Sequence, residues 1–144
     1  MTYLDTSALI KRFIEEEGSG VVRTLMRQPG SVATAKVAYV EVYAGLGRRR
    51  RAGDLSPKDH RVACTQFERD WPGYIRVDLA DEILSLARDI IQRHPLRGFD
   101  AVHLASALSI RQGLEEDLQF VAADERLLRA ATAEGLQALN VEPV

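Results

Sequence analysis

Two rhythms of apolar and polar residues alternate along this chain from end to end. Short runs with little polar interruption read as strands: Thr2-Tyr3-Leu4, "SVATA" from Ser31 to Ala35, "YIRVD", "LQFVAAD" and "LQALNV". Between them, apolar residues recur every three or four positions, the spacing that gathers them on one side of a helix. "SALIKRFIEEEG" and "GVVRTLMRQ" predict two short helices broken by Gly18 and Gly20. "KVAYVEVYAGLGRRRR" puts Val37, Val40, Tyr43, Ala44 and Gly47 on a shared helical face, with Glu41 beside it. "SPKDHRVACTQFERDW" starts as a helix, with Ser56 as cap and Pro57 at the first helical position, and stops at Pro72-Gly73. "ADEILSLARDIIQRH" is strongly amphipathic and closed by Pro95, and a further long helix begins at or near Asp100 in "FDAVHLASALSIRQG". "ERLLRAATAEG" is a last helix, with Gly135 past its end.

Strands that alternate with helices pair in parallel through right-handed crossovers. The expected fold is therefore α/β, a three-layer arrangement with a roughly five-stranded parallel sheet and helices on both faces. No repeat, linker or low-complexity segment divides the 144 residues, so 1–144 is expected to be one domain.

In open parallel sheets, chemistry gathers at the carboxyl ends of the strands where the strand order reverses. Asp5 and Asp124 both stand at such ends, Asp100 opens the helix leading into the second of those strands, and Glu41 lies in about the second turn of the helix after "SVATA". If the first strand and "LQFVAAD" are neighbours, all four acids share one rim. Each acid alone has a structural explanation: Asp5, Asp100 and Asp124 as helix caps, Glu41 as a glutamate at the edge of a buried face. Together, four facing carboxylates repel one another unless a cation sits among them. Oxygen donors without a cysteine or histidine cluster select Mg²⁺ or Mn²⁺, and such an ion suits phosphodiester hydrolysis by leaving room for a phosphate oxygen and a water. His103, three residues after Asp100, is expected to be packed and hydrogen-bonded rather than ligating.

The net charge of -2 argues against gripping nucleic acid by bulk charge, although a local cluster can still do so. Arg48 to Arg51 form such a cluster at a helix end, where they serve either the helix dipole or an RNA backbone, and Arg97 is a second phosphate-contact candidate. The single cysteine, Cys64, excludes an intramolecular disulfide framework and a multi-cysteine zinc site. With no signal-peptide pattern and no apolar run of about 20 residues, a cytoplasmic location away from membranes is expected.

The segments "YLDTSAL", "AYVEVYAGL", "FDAVHLASAL" and "FVAADERLL", in this order from Thr2 to Leu128, resemble the four acidic motifs of PIN-domain ribonucleases, most closely the VapC-type toxins of bacterial toxin-antitoxin pairs. The resemblance implies a PIN-like fold and a Mg²⁺- or Mn²⁺-dependent endoribonuclease, with Asp5, Glu41, Asp100 and Asp124 as both catalytic and metal-binding residues. It also implies an RNA substrate, a homodimer and a small antitoxin that occludes the site; an Arg side chain suits that role, since it pairs well with clustered carboxylates. One position departs from the pattern: Ala122 stands where the family often has Thr or Ser, so a supporting hydroxyl must come from Thr6 or Ser7 instead. Two alternatives remain. One is a non-catalytic module of this fold that holds RNA or a partner. The other is a haloacid-dehalogenase-type phosphatase, which needs a second Asp where Ser7 stands.

Overall fold

The computed structural model describes residues 1–114 and 117–143. Strands β1 (Thr2–Leu4), β2 (Val32–Ala35), β3 (Ile75–Val77), β4 (Gln119–Ala122) and β5 (Gln137–Asn140) form one parallel sheet in the order β3-β2-β1-β4-β5. β1 is central, with Thr2 opposite Val32 on one side and Gln119 on the other. Strand order thus reverses between β1 and β4, which makes their carboxyl ends the switch point.

Among the described residues seven α-helices cover the sheet: α1 (Thr6–Leu9), α2 (Ser19–Arg27), α3 (Ala38–Arg51), α4 (Pro57–Asp70), α5 (Asp81–Arg93), α6 (Gly98–Gln112) and α7 (Glu125–Ala133). Successive strand residues face opposite ways, so Tyr3 and Phe120 enter one core while Leu4 and Val121 enter the other. α5, α6 and α7 close the first core through Ile83, Ile90, Leu104 and Leu127. α1 to α4 close the second through Leu9, Val22, Val42 and Phe67. Crossovers of one hand that step outward in opposite directions from β1 must lie on opposite faces, which produces the three layers.

The punctuation acts as its chemistry dictates. Ser56 Oγ accepts from the Asp59 amide at 3.1 Å at the head of α4, and Gly135, at φ 89°, takes the left-handed turn after α7. Two elements differ from the sequence reading. "SALIKRFIEEEG" yields only the single turn of α1 and a 3₁₀ turn, Ile10–Arg12, in which Lys11 is drawn inward. Lys11 is 2% exposed, and its ammonium sits 2.9 Å from Glu16 and 2.7 Å from Glu142. In α3 the buried residues are Ala38, Val42, Gly45 and Leu46, while Val40 is 65% exposed and Ala44 faces outward. A Cβ on Gly45 would lie 2.7 Å from Ile10 Cδ1, so the glycine edge is the one that lets α3 approach its neighbour. Beneath α3 and α4, Phe67 meets Phe13, Tyr39, Tyr43 and Trp71 with ring centroids 5.3–5.8 Å away. Among the described residues no helix is long and apolar enough to cross a membrane.

Candidate active site

The carboxyl ends of β1 and β4 are tied together before any side chain matters, because the Asp5 amide donates to Val121 O at 3.1 Å. Asp5 then caps α1: its Oδ1 accepts from the Ala8 amide at 3.0 Å, and Ser7 Oγ donates to Oδ1 and Oδ2 at 2.7 and 2.9 Å. Ser7 Oγ also accepts from the Ala123 amide at 3.0 Å, bridging to the end of β4. Ser7 thus brings a hydroxyl from the β1 side to the end of β4, next to Ala122. Asp5 is only 3% exposed, and burial lifts its carboxyl to a pKa of about 6 against the downward pull of His103, Ser7 and the Ala8 amide. Asp124 caps α7, accepting from the Leu127 amide at 2.9 Å.

Glu41 stands in the first turn of α3, a turn earlier than the sequence suggested. Its Oε1 accepts from Thr6 Oγ1 at 2.6 Å and from His103 Nε2 at 2.9 Å. Burial pushes this carboxyl upward, but the His103 and Thr6 hydrogen bonds and the Arg48 charge outweigh it and hold the pKa below the ordinary range. Asp5 and Glu41 are therefore displaced in opposite directions within one site, a pattern that accompanies divided chemical roles. α6 begins at Gly98, two residues before Asp100, with Arg97 at the cap position, so capping does not explain Asp100. Burial raises its pKa, Arg97 opposes this, and Asp124 adds a further upward push. Arg97 spans the pair, with Nε 3.3 Å from Asp100 Oδ2 and Nη2 3.6 Å from Asp124 Oδ2.

All four acids line one open cavity of about 1080 Å³, together with Thr6, Ser7, Arg48 and His103. Leu84, Ile91 and Phe99 give the same cavity an apolar wall. The arginine run divides. Both Arg48 and Arg49 line the cavity, but Arg49 is also committed to Glu16, with Nε 3.1 Å from Oε2 and Nη2 3.2 Å from Oε1.

As the side chains stand, no group of three or more His, Cys, Asp or Glu residues among the described residues is placed to hold a metal ion. Each acid is instead engaged by neighbours: Asp5 by Ser7 and the Ala8 amide, Glu41 by Thr6 and His103, Asp100 and Asp124 by Arg97. The donor set itself fits a hard divalent cation, being carboxylate oxygens from four segments around one cavity, one of them nearly fully buried. His103 is packed and hydrogen-bonded as expected, but its partner Glu41, 62 positions away, was not legible from spacing along α6. That Arg97 pairs with Asp100 and Asp124 was likewise hidden, although its place three residues before Asp100 was a usable signal.

A family model described as PIN domain matches residues 2–133. Ribonuclease VapC49 of Mycobacterium tuberculosis (strain ATCC 25618 / H37Rv) is 33% identical over 135 residues, covering 94% of this chain and 92% of its own. Ribonuclease VapC47 of M. tuberculosis (strain CDC 1551 / Oshkosh) is 32% identical over 132 residues, covering 89% and 88%. Among solved structures, FitAcB from Neisseria gonorrhoeae shares the fold with a TM-score of 0.72 at 16% identity, over 100% of both chains. A toxin-antitoxin complex from Klebsiella pneumoniae does so with a TM-score of 0.69 at 15% identity, again over 100% of both.

Proposed function

This chain belongs to the PIN-domain family, and on that premise we propose that it is a VapC-type toxin, an endoribonuclease that hydrolyses RNA phosphodiester bonds with Mg²⁺ or Mn²⁺. The observation that carries the reading is the gathering of Asp5, Glu41, Asp100 and Asp124 around one cavity at the β1/β4 switch point. Asp5, Asp100 and Asp124 would hold the ion and Glu41 would complete the cluster. The ion, when bound, supplies a Lewis acid for the phosphate oxygens and lowers the pKa of a bound water. The chain supplies the rest. Ser7 and the Ala8 amide fix the Asp5 carboxylate in one orientation, so little ordering remains to be done when the site fills. Arg97 must release Asp100 and Asp124, and it is then free to meet a phosphate at the same rim. Arg48 lines the same cavity and suits the backbone of an RNA strand lying in it.

The phosphatase alternative has no support at its key position, since Ser7 donates to Asp5 and no acid stands there. The whole of 1–144 is read as one domain that pairs as a homodimer, and a cognate antitoxin is its protein partner. The neighbouring folds include a toxin-antitoxin complex, and the apolar wall of Leu84, Ile91 and Phe99 beside four acids suits an amphipathic segment carrying an arginine. Incubating antitoxin-free protein with total RNA, with Mn²⁺ or with EDTA, tests the reading. Discrete new 5′ ends that need Mn²⁺ support it, and RNA binding without cleavage in Mn²⁺ turns it into a non-catalytic module.

The split of the arginine run makes its own prediction. Arg48→Gln should weaken RNA binding and reduce the slope of log affinity against log salt by about one, because one phosphate contact and its released counterion are lost. Arg49→Gln should act through stability, since its guanidinium holds Glu16. Fluorescence anisotropy of a labelled RNA across salt concentrations measures the first and a thermal melt the second; an unchanged slope for Arg48→Gln removes it from the RNA path.

A further inference from the structure

A buried polar chain leads from the sheet to the cavity. Tyr3, in the middle of β1 and 0% exposed, stacks on Phe120 at 5.4 Å with 6° between the rings. Its hydroxyl lies 2.9 Å from Nδ1 of His103, and the two rings meet edge to face at 5.9 Å. His103 is 2% exposed on a stretch of α6 that is otherwise apolar but for Ser106. A polar ring costs free energy there unless both nitrogens are satisfied. Nε2 reaches Glu41 Oε1 at 2.9 Å, and Thr6 Oγ1 lies 3.1 Å from Nε2 and 2.6 Å from the same oxygen. Among the described residues no hydrogen bond to Glu41 Oε2 is made, although Glu41 lines the cavity.

We propose that His103, oriented by Tyr3, is a positioning residue that clamps Oε1 of Glu41 from the core and leaves Oε2 as the oxygen Glu41 offers to a cation. A carboxylate only accepts, so Nε2 must carry the proton of this bond, and in the neutral ring Nδ1 then accepts from the Tyr3 hydroxyl. With Nε2 protonated and occupied, the ring has no lone pair for a metal, and it acts through Glu41 alone. Thr6 follows Asp5 directly, so the same clamp ties the placement of Glu41 to that of Asp5. This inference rests on the reading of Glu41 as part of the metal site.

Substitutions at His103 separate positioning from packing. The side-chain amide of Gln reaches about as far as Nε2 and can still donate to Glu41, whereas that of Asn reaches only as far as Nδ1. In calorimetric Mn²⁺ titrations, His103→Asn is expected to weaken binding roughly 10- to 100-fold and His103→Gln to recover most of the loss. In a Glu41→Gln background, His103→Asn should add little, because the group it positions is already gone. Tyr3→Phe keeps the ring stack and removes one hydroxyl; a smaller loss in the same direction is expected, and this variant carries the test should His103→Asn not fold. Wild-type affinity in His103→Asn, equal losses for Asn and Gln, or an undiminished loss in the Glu41→Gln background each overturn the proposal while the metal site stands. A wild-type protein that binds no Mn²⁺ overturns it together with that site.

Discussion

Asp5→Asn is expected to lower RNA cleavage by roughly a thousandfold, the equivalent of about 4 kcal/mol of transition-state stabilisation, while making the metal-free protein more stable at neutral pH. The stability gain follows from burial. A carboxyl whose pKa rises from 3.8 to about 6 on folding is ionised at pH 7 in both states, but the folded state holds that charge in a place that disfavours it. The shift of about two units corresponds to on the order of 2–3 kcal/mol. For an acid raised on folding, stability is greatest below the unfolded pKa near 4 and is lost as pH rises through the folded value near 6. The difference in melting temperature between Asp5→Asn and wild type should therefore be small at pH 4, grow to pH 6 and level off above it. Asn retains an acceptor oxygen for the Ala8 amide, so the cap on α1 survives. Melts of both proteins from pH 4 to 8 in EDTA check this; equal stability at pH 7 removes the strained-carboxylate account of Asp5.

Phe67→Ala carries the largest expected loss of stability, about 3–5 kcal/mol. The ring is fully buried where α3 and α4 meet, and its removal leaves Phe13, Tyr39, Tyr43 and Trp71 facing a void. A melting temperature lower by roughly 10 °C or more is expected for a chain of this size. Mn²⁺ affinity of the folded fraction should stay within a few-fold of wild type, because Glu41 is held by Thr6 and His103 at the other side of α3. A large loss of affinity with little loss of stability contradicts this separation of packing from site.

What the sequence disclosed and what it hid divide along physical lines. Strands β1, β2 and β4, and the helices bounded by Ser56-Pro57, Pro95 and Gly135, are marked by local chemistry, so they could be read residue by residue. The adjacency of β1 and β4 entered the sequence reading only as a condition, and the pairing of Tyr3 with Phe120 supplies it. The buried side of α3 was not legible, since two apolar stripes overlap on it and only the close approach at Gly45 selects one. Nor was the inward turn of Lys11, whose partner Glu142 lies 131 positions away. At the site, Asp5, Asp100 and Asp124 stood out at strand ends and a helix start, and Glu41 as an acid amid apolar residues. Their partners did not: His103 reaches Glu41, and Ser7 reaches Ala123, across gaps that no periodicity spans.

The site that the acids form is tested most directly by diffraction from crystals of the antitoxin-free protein soaked in Mn²⁺, with data collected at the manganese absorption edge. The account predicts an anomalous peak within coordination distance of Asp5 and of Asp100 or Asp124, with the Arg97 guanidinium withdrawn from both of the latter. A cavity with no such peak at saturating Mn²⁺, with Arg97 still bridging Asp100 and Asp124, would contradict it.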